Sequence, residues 1–394
     1  MRTRARHLDL IDIGRGFLCI LAGLALCRYA FTPLLPALIE GGWTTQSGGA
    51  WLGATNFSGY LLGALVAHWV GSFIGQGRGV LLALCIGVVS LALSGLDLGW
   101  WALAIWRILA GVSGGMIFVL VPSLVLSHIS HARQDLGSGM IFAGSGAGIV
   151  LASLAMPMLV EDSISTAWFA LAGGSLVVLV LNLKLVTTRD ISLDSPLVMA
   201  PQMSSRTRRT VWLVCGAYGL FGIGIVPHTL LLSDYLFEDL GVSIDAASER
   251  FAVFGIGSLL GGVLVGGWFA RWARASTRLV LASGLAVVSI LIVPIAADAI
   301  TVTVSALTMG TAHMGCVSVM SRRVDELVGL SRHTRYWGRA TLWVGGGYAS
   351  GAAVMAGVLS AGGSYASCFW IAGVAMIGAM GLYIMTSRSL GEQA

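Results

Sequence analysis

Residues 24–38, LALCRYAFTPLLPAL, form an apolar segment that holds one charged side chain, Arg28. Residues 100–115, WWALAIWRILAGVSGG, repeat this arrangement with Arg107. A guanidinium at the centre of a membrane-spanning helix costs about 2.5–3.5 kcal/mol on insertion scales, so it normally faces protein or a water-filled path. The two segments therefore predict membrane-spanning helices arranged around a polar interior.

The composition indicates that the whole chain, and not only these two segments, is of the membrane-spanning type. Of the 394 residues, 56% are hydrophobic and 10% are charged, and the mean hydropathy is +0.87. Apolar runs of about 18 residues or more are typical of membrane helices, whereas helices of soluble cores are shorter. The 54 glycines are dispersed through these runs, which favours close helix packing in a bilayer. We expect an all-α polytopic membrane protein.

Short polar stretches divide the apolar sequence into twelve expected spans. The turns at Leu98 and Asp298 leave a single residue between neighbouring spans, which predicts tight hairpins there. The spans are expected at residues 14–38, 48–72, 79–97, 99–126, 136–160, 163–186, 210–236, 247–270, 277–297, 299–320, 335–360 and 364–386.

The basic residues predict the orientation of the spans. Arg28 and Arg107 lie well inside spans, and Arg250 falls at a span end on one face. The rest of the 23 Lys and Arg residues fall at the termini, the central break, and the loops and span ends of the other face, as the positive-inside rule expects. Both termini are therefore expected in the cytoplasm. The net charge of +5 reflects loops near anionic lipid, and it gives no reason to expect a nucleic-acid partner.

A polar break divides the chain into halves of similar length. Residues 187–209 contain two prolines and a basic end, and they predict a cytoplasmic linker between six-helix bundles at 14–186 and 210–386. Similar motifs recur in the two halves at nearly the same offset. They are GYLLGALV and GSLLGGVL, starting at Gly59 and Gly257, and GSGAG and GGGYAS, starting at Gly144 and Gly345. A parallel repeat of this kind places substrate at the midplane between the halves.

The first two spans carry a more specific signature. Residues 27–38 read CRYAFTPLLPAL, and residues 48–65 read GGAWLGATNFSGYLLGAL. With the six-plus-six layout, these segments resemble the major facilitator superfamily, in particular its bacterial YbfB/YjiJ-like branch. The resemblance implies twelve transmembrane helices in two pseudo-symmetric six-helix bundles. It also implies transport by alternating access across the inner membrane, usually by a monomer.

Two further superfamily motifs are present in part. In the fourth span Arg107 is followed by Gly111, and the resemblance associates this arginine with substrate or proton-linked charge. In the fifth span Gly144 and Gly148 match a glycine-rich motif, but Ser145 stands where antiporters typically have proline. The loop after the second span lacks the acidic residue of the superfamily, so the usual charge relay on the inner face is not expected.

The resemblance implies that the first, fourth, seventh and tenth spans line the cavity. Each has a charged or titratable residue near its middle: Arg28, Arg107, His228 and His313. Two arginines without acidic partners favour an anionic ligand, most simply a carboxylate bound through two hydrogen bonds. The alternatives are a structural bond from either arginine to backbone carbonyls at a helix break, and neutral histidines that bond a neighbouring helix.

Further residues are candidates for contact, coupling or movement. Asp234 is the one carboxylate placed inside a span rather than at its last residue, and it is a proton-coupling candidate together with His228 and His313. An acid that merely ends the seventh helix is the alternative. The additional substrate contacts proposed are Tyr29, Thr32, Asn56 and Tyr60. The hinge or gating candidates are Pro33, Pro36, Gly111, Gly144, Gly148 and Pro227.

These residues favour a secondary active or facilitative transporter of a small organic solute. The two arginines favour an anionic solute, and its movement with or without protons is left open. One alternative is an exporter of amphipathic toxicants, whose pocket would be aromatic with a single charge. Another is a non-transporting sensor or assembly protein. No enzyme, cofactor or metal site is predicted, because Ser145 has no activating base, no ATP-binding loop occurs, and His128 and His131 fit a loop better than a metal pair.

Overall fold

The computed structural model describes residues 2–127, 129, 133–186 and 203–388. It is 90% helical, and the described residues form no strands. The helices long and apolar enough to cross a membrane are numbered α1 to α12. Their bounds are Asp9–Glu40, Gln46–Ile74, Gln76–Ser94, Trp100–Leu126, Gln134–Asp162, Ile164–Leu183, Ser205–Glu238, Ile244–Arg271, Ala275–Ile295, Ala299–Val328, Arg335–Ser360 and Tyr365–Ser387.

The twelve-helix prediction is confirmed, and the differences lie at helix ends. Helix α7 begins five residues early because the side chain of Ser204 accepts a hydrogen bond from the backbone N–H of Thr207. Helix α10 continues past residue 320, where hydropathy falls, because Arg322 and Asp325 form an ion pair one turn apart. Of the predicted linker, residues 187–202 lie outside the described residues, so the domain boundary stays a prediction.

The same helix pairs pack together in both halves of the chain. Helix α2 packs on α4, and α3 packs on both α4 and α6; correspondingly, α8 packs on α10, and α9 packs on both α10 and α12. The halves meet along two seams, one between α2 and α11 and one between α5 and α8. This repetition is the arrangement expected of two similar six-helix bundles, with a central region enclosed between the seams.

Glycines permit the closest of these contacts. A Cβ atom added at Gly111 on α4 would lie 2.0 Å from the backbone oxygen of Asn56 on α2. At the equivalent pair in the second half, a Cβ added at Gly310 on α10 would lie 2.2 Å from the oxygen of Phe254 on α8. In both places backbone packs on backbone, which is how membrane helices approach one another most closely.

Contacts between the two halves are present at both ends of the bundle. Because twelve helices alternate in direction, the first and last helices have their free ends on one side, called here the termini side. On that side Arg322 of α10 pairs with Asp135 of α5 at 3.5 Å. On the opposite side Thr32 of α1 donates a hydrogen bond of 2.6 Å to the carbonyl of Thr229 on α7. The central region is thus closed at both ends.

Replacing Gly111 with alanine is expected to lower the thermal unfolding temperature in detergent, because the added methyl group forces α2 and α4 apart. Gly173→Ala is the matched control, since no atom lies within 4 Å of a Cβ at that helical position. Alanine there is expected to be neutral or to stabilise by about 0.5–1 kcal/mol. Equal unfolding temperatures for the two variants would contradict the close packing.

Candidate functional site

A local change of helix type places Arg28. Residues Leu21–Tyr29 of α1 are π-helical, and the backbone N–H of Ala30 accordingly bonds the carbonyl of Ala25, five residues back, at 2.8 Å. In α7 the π-helical segment Pro227–Leu231 begins at a proline, which has no N–H to donate. Such segments are rare and are frequent at functional sites, because the wider turn redirects side chains.

The Arg28 guanidinium lies among four aromatic rings. Its central carbon is 4.0 Å from the ring centroid of Tyr348, 4.3 Å from Phe57, 4.8 Å from Tyr29 and 5.3 Å from Tyr60. All four distances are within the range of cation–π attraction. Tyr348 belongs to α11 and the other three rings to α1 and α2, so this aromatic cage spans the seam between the halves.

Two nitrogens of Arg28 lack a hydrogen-bond partner among the described residues. They are Nε and Nη2, both buried. None of the ion pairs between described residues includes Arg28, whose residue exposure is 5%. The aromatic rings attract the charge but accept no strong hydrogen bonds from these N–H groups. Arg28 is therefore a buried cation with two free donors.

His313 approaches the same cage from the second half. Its Nε2 atom lies 3.0 Å from the hydroxyl of Tyr348, and its ring meets that of Tyr29 edge to face at 6.2 Å. The structure thus places Arg28 and His313 beside the same two rings, those of Tyr29 and Tyr348. Tyr348 contacts both of them and joins the cation of one half to the histidine of the other.

Arg107 occupies a separate place inside the first half. Its Nη1 atom donates a 3.0 Å hydrogen bond to the carbonyl of Cys27, and its guanidinium lies over the rings of Phe31 and Trp168. The side-chain amide of Asn56 donates to the carbonyl oxygens of Arg107 and Cys27. The contacts of Arg107 match the structural alternative, a bond to a carbonyl where α1 departs from regular α-helix, and they separate its role from that of Arg28.

His228 is the counterpart of Arg107 in the second half. Its Nε2 atom lies 2.8 Å from the hydroxyl of Ser305, which in turn donates to the carbonyl of Ser289. Its ring packs against Phe369 at 5.5 Å. A buried polar bond therefore joins α7 to α10, just as Arg107 joins α4 to α1. The structure does not bring His228 to the aromatic cage.

The remaining predicted residues fall into three groups. Tyr29 and Tyr60 belong to the cage, whereas Thr32 bridges the halves nearer the opposite side. Asp234 accepts a hydrogen bond from Tyr365 near the opposite end of α7. The hinge candidates stay predictions: Pro33 and Pro36 lie in the last ten residues of α1, Pro227 opens the π-helical segment, and Gly111, Gly144 and Gly148 lie at close helix contacts.

Aromatic residues close the cage toward the termini side. The ring of Trp337 stacks on Phe118 at 5.6 Å, and Phe118 contacts Tyr60. Beyond Trp337 lies His333, which lines a cavity of about 330 Å³ on the termini side. Burial lowers the pKa of His333. A larger recess of about 470 Å³ lies between α7 and α11, beside the half-exposed Trp343 and away from the cage.

Phe57 and Tyr348 are site residues that the sequence prediction missed. Phe57 precedes Tyr60 by three positions, so the two share a helix face, and this spacing was a usable signal. Tyr348 follows three glycines in α11, outside the four helices expected to line the cavity. Only the packing of α11 on α2 brings it to Arg28.

A metal centre does not appear in the described part of the chain, where no three His, Cys, Asp or Glu side chains are grouped suitably. His128 and His131 lie outside the described residues.

Comparison with known proteins agrees with this architecture. A family model described as "Uncharacterised MFS-type transporter YbfB" matches residues 20–384. The chain belongs to this family. The resemblance found in the first two spans is thereby confirmed, and the protein is a YbfB-type member of the major facilitator superfamily.

Individual relatives of this YbfB-type transporter are distant. It is 23% identical over 252 residues to the uncharacterized MFS-type transporter YceJ of Bacillus subtilis, covering 63% of this chain and 64% of YceJ. It is 32% identical over 127 residues to YcaD of Escherichia coli, another uncharacterized MFS-type transporter, covering 31% and 33% of the two chains. The aligned part is less than two thirds of either relative.

Among solved structures, the human organic anion transporter MFSD10 (TETRAN) has a TM-score of 0.73 to this chain. The match covers 95% of this chain and 99% of MFSD10, at 18% identity. The major facilitator fold is thus confirmed over nearly the whole chain.

The two buried arginines are expected to differ in their effect on stability. Arg28→Met removes an unpartnered buried charge and should leave the unfolding temperature in detergent unchanged or raise it. Arg107→Met removes the hydrogen bond to Cys27 and should destabilise the YbfB-type transporter by about 1–3 kcal/mol. Thermal unfolding of both variants measures the difference. A loss for Arg28→Met as large as that for Arg107→Met would indicate a structural role for Arg28.

Proposed function

We propose that this transporter carries a small organic anion and that Arg28 binds the anionic group. The observation that carries the proposal is the pair of free donors on Arg28. Nε and Nη2 lie on the same edge of the guanidinium, and this edge matches the two oxygens of a carboxylate. A bound anion supplies both hydrogen-bond acceptors and the negative charge that the surrounding residues do not.

The aromatic cage adds a second requirement on the substrate. The rings of Tyr29, Phe57, Tyr60 and Tyr348 offer apolar faces next to the cation. They suit a ligand whose body is apolar or aromatic and whose charge is carried at one end. A fully hydrated inorganic anion gains little from such a surrounding.

Transport follows from the position of this site between the halves. The two free nitrogens are buried in a region closed at both ends, so an anion reaches them only when the halves separate on one side. Rocking of two bundles about a central site is the movement that gives alternating access. We place the termini side in the cytoplasm, as the basic residues predict, and the protein in the inner membrane as a monomeric transporter without enzymatic activity.

A second candidate function is the export of amphipathic toxicants. It is favoured by the finding that the cage holds one arginine and several aromatic rings, because Arg107 lies elsewhere. Both candidates use the same site, but they differ in direction and in the charge of the substrate. MFSD10 is named an organic anion transporter, and at 18% identity its likeness supports the fold, so the anion proposal depends on Arg28 itself.

Uptake and efflux in proteoliposomes test the proposal. A panel of aromatic and aliphatic carboxylates and of amphipathic cations is offered with and without a pH gradient. The carboxylates should be transported, and Arg28→Met should weaken their binding by about tenfold to a hundredfold, the effect of losing hydrogen bonds between charged groups. Arg28→Lys keeps the charge but loses the paired geometry, so it should restore only part of the binding.

Arg271→Met is the control for the loss of an arginine that contacts aromatic rings. Arg271 lies over Trp268 at the termini-side end of α8, far along the helix from the seam contacts at mid-bundle. The Arg271→Met variant should transport carboxylates as well as the unaltered protein does. Transport of cations alone, or full carboxylate transport by Arg28→Met, would overturn the anion proposal.

A further inference from the structure

A buried carboxylate lies near the opposite side of the second half. Asp234 of α7 has a residue exposure of 1%. Its Oδ2 atom accepts a hydrogen bond from the hydroxyl of Tyr365 at the start of α12, and its Oδ1 atom has no partner among the described residues. None of the ion pairs between described residues includes Asp234. A charge so placed in a membrane is costly, and a carboxylate can lose it by binding a proton.

The hydrogen bond to Asp234 continues into the first half. The side-chain amide of Gln46, at the start of α2, donates to the hydroxyl oxygen of Tyr365 at 2.7 Å. The Tyr365 hydroxyl thus accepts a hydrogen bond from Gln46 of the first half and donates one to Asp234 of the second half. Nearby, the indole N–H of Trp51 on α2 donates to the hydroxyl of Ser360 on α11 at 3.2 Å, so a second hydrogen bond joins the halves on this side.

We infer that Asp234 is a proton-binding site that controls closure of the opposite side through Tyr365 and Gln46. The inference deepens the proposed function, on which it rests, by assigning the gate that admits substrate from that side. The ligand of the site is a proton taken from the water of the opposite side. With Asp234 ionised, the three residues form one directed series of hydrogen bonds that holds the halves together.

Protonation removes the charge from the last hydrogen bond. The free Oδ1 atom of Asp234 can carry the proton, and Oδ2 then accepts from Tyr365 as a neutral oxygen. A charge-assisted hydrogen bond is thereby lost, and such bonds are roughly twice as strong as neutral ones. Tyr365 is then held less firmly on the second half, and the bond that Gln46 donates to it across the halves is weakened.

The acidic residues around Asp234 favour its uptake of a proton. Glu238 and Asp239 follow on the same end of α7, and burial together with Glu238 raises the pKa of Asp239. Arg250 on α8 donates to the backbone oxygen of Ala246 within its own helix. The titratable groups on the elements packed against this end of α7 are Glu40 on α1, Tyr365 on α12, and Asp245, Glu249 and Arg250 on α8.

The gate lies on the path to Arg28. Leu230 of α7 is buried against Gly53 of α2, since a Cβ added at Gly53 would meet its side chain at 2.2 Å. Along α2, Gly53 comes between Gln46 and the cage residue Tyr60. A thiol at position 230 therefore becomes reachable from the opposite side only when the contacts around Gln46 and Tyr365 separate.

Labelling of Leu230→Cys with a membrane-impermeant maleimide, added from the opposite side of proteoliposomes, measures this opening. Labelling should rise about tenfold as the pH on that side falls, the effect of losing one charge-assisted hydrogen bond. In the double variant that carries both Leu230→Cys and Asp234→Asn, labelling should be high at every pH. Ser163→Cys, exposed on the same side, corrects for the pH dependence of the thiol reaction, and the chain with only its native cysteines gives the background.

Two more variants test the inference independently of Asp234→Asn. Tyr365→Phe removes the hydroxyl that joins the halves, so it should also label at every pH, even if Asp234→Asn fails to fold. Asp239→Asn removes a neighbouring negative charge and should keep the pH response. A pH response retained in Tyr365→Phe or Asp234→Asn, or lost in Asp239→Asn, overturns the inference. Labelling needs no substrate, so failure of the anion proposal would show separately, as absent carboxylate transport with an intact pH response.

Discussion

The central constraint on this structure is the Arg28 cation, which is buried between two halves of a membrane protein and has no acidic partner among the residues that the structure describes. A charge in a medium of low dielectric needs compensation, and the surrounding rings of Phe57 and Tyr348 supply only part of it. Because the rings come from both halves, the cation is best surrounded when the halves are together. In our proposal, a carboxylate at the free edge of Arg28 completes that compensation, and substrate binding is thereby linked to closure.

Arg28 and Arg107 show what the sequence reveals and what it does not. Both were recognised as guanidinium groups deep in apolar segments, and hydropathy gives that depth directly. Which way each side chain points depends on the helix path, and the π-helical turn at Leu21–Tyr29 has no clear sequence signal. That turn exposes the carbonyl of Cys27 to Arg107 and directs Arg28 to the seam. The same sequence pattern, an arginine deep in an apolar segment, therefore corresponds to two different surroundings in the structure.

The fold was far more predictable than the site. Segment length and basic-residue asymmetry determine the number and order of helices. A local cap at Ser204 explains the early start of α7, and Asp298 caps α10 at its predicted start. The site depends instead on contacts between residues far apart in sequence, such as Tyr348 with Phe57. Hydropathy does not predict these contacts, because an aromatic residue has the same hydropathy whether it lines a site or faces lipid.

The cross-contacts at the two ends of the molecule differ from those along its seams. At the ends they include polar pairs: Arg322 with Asp135 on the termini side, and Thr32 with the Thr229 carbonyl and Gln46 with Tyr365 on the opposite side. Along the α5–α8 seam, backbone approaches backbone at glycines such as Gly139 and Gly262. In the proposed alternating-access movement, the polar contacts at one end separate while the halves pivot on this seam. The Arg28 side chain lies between the ends, so an opening at either end would reach it.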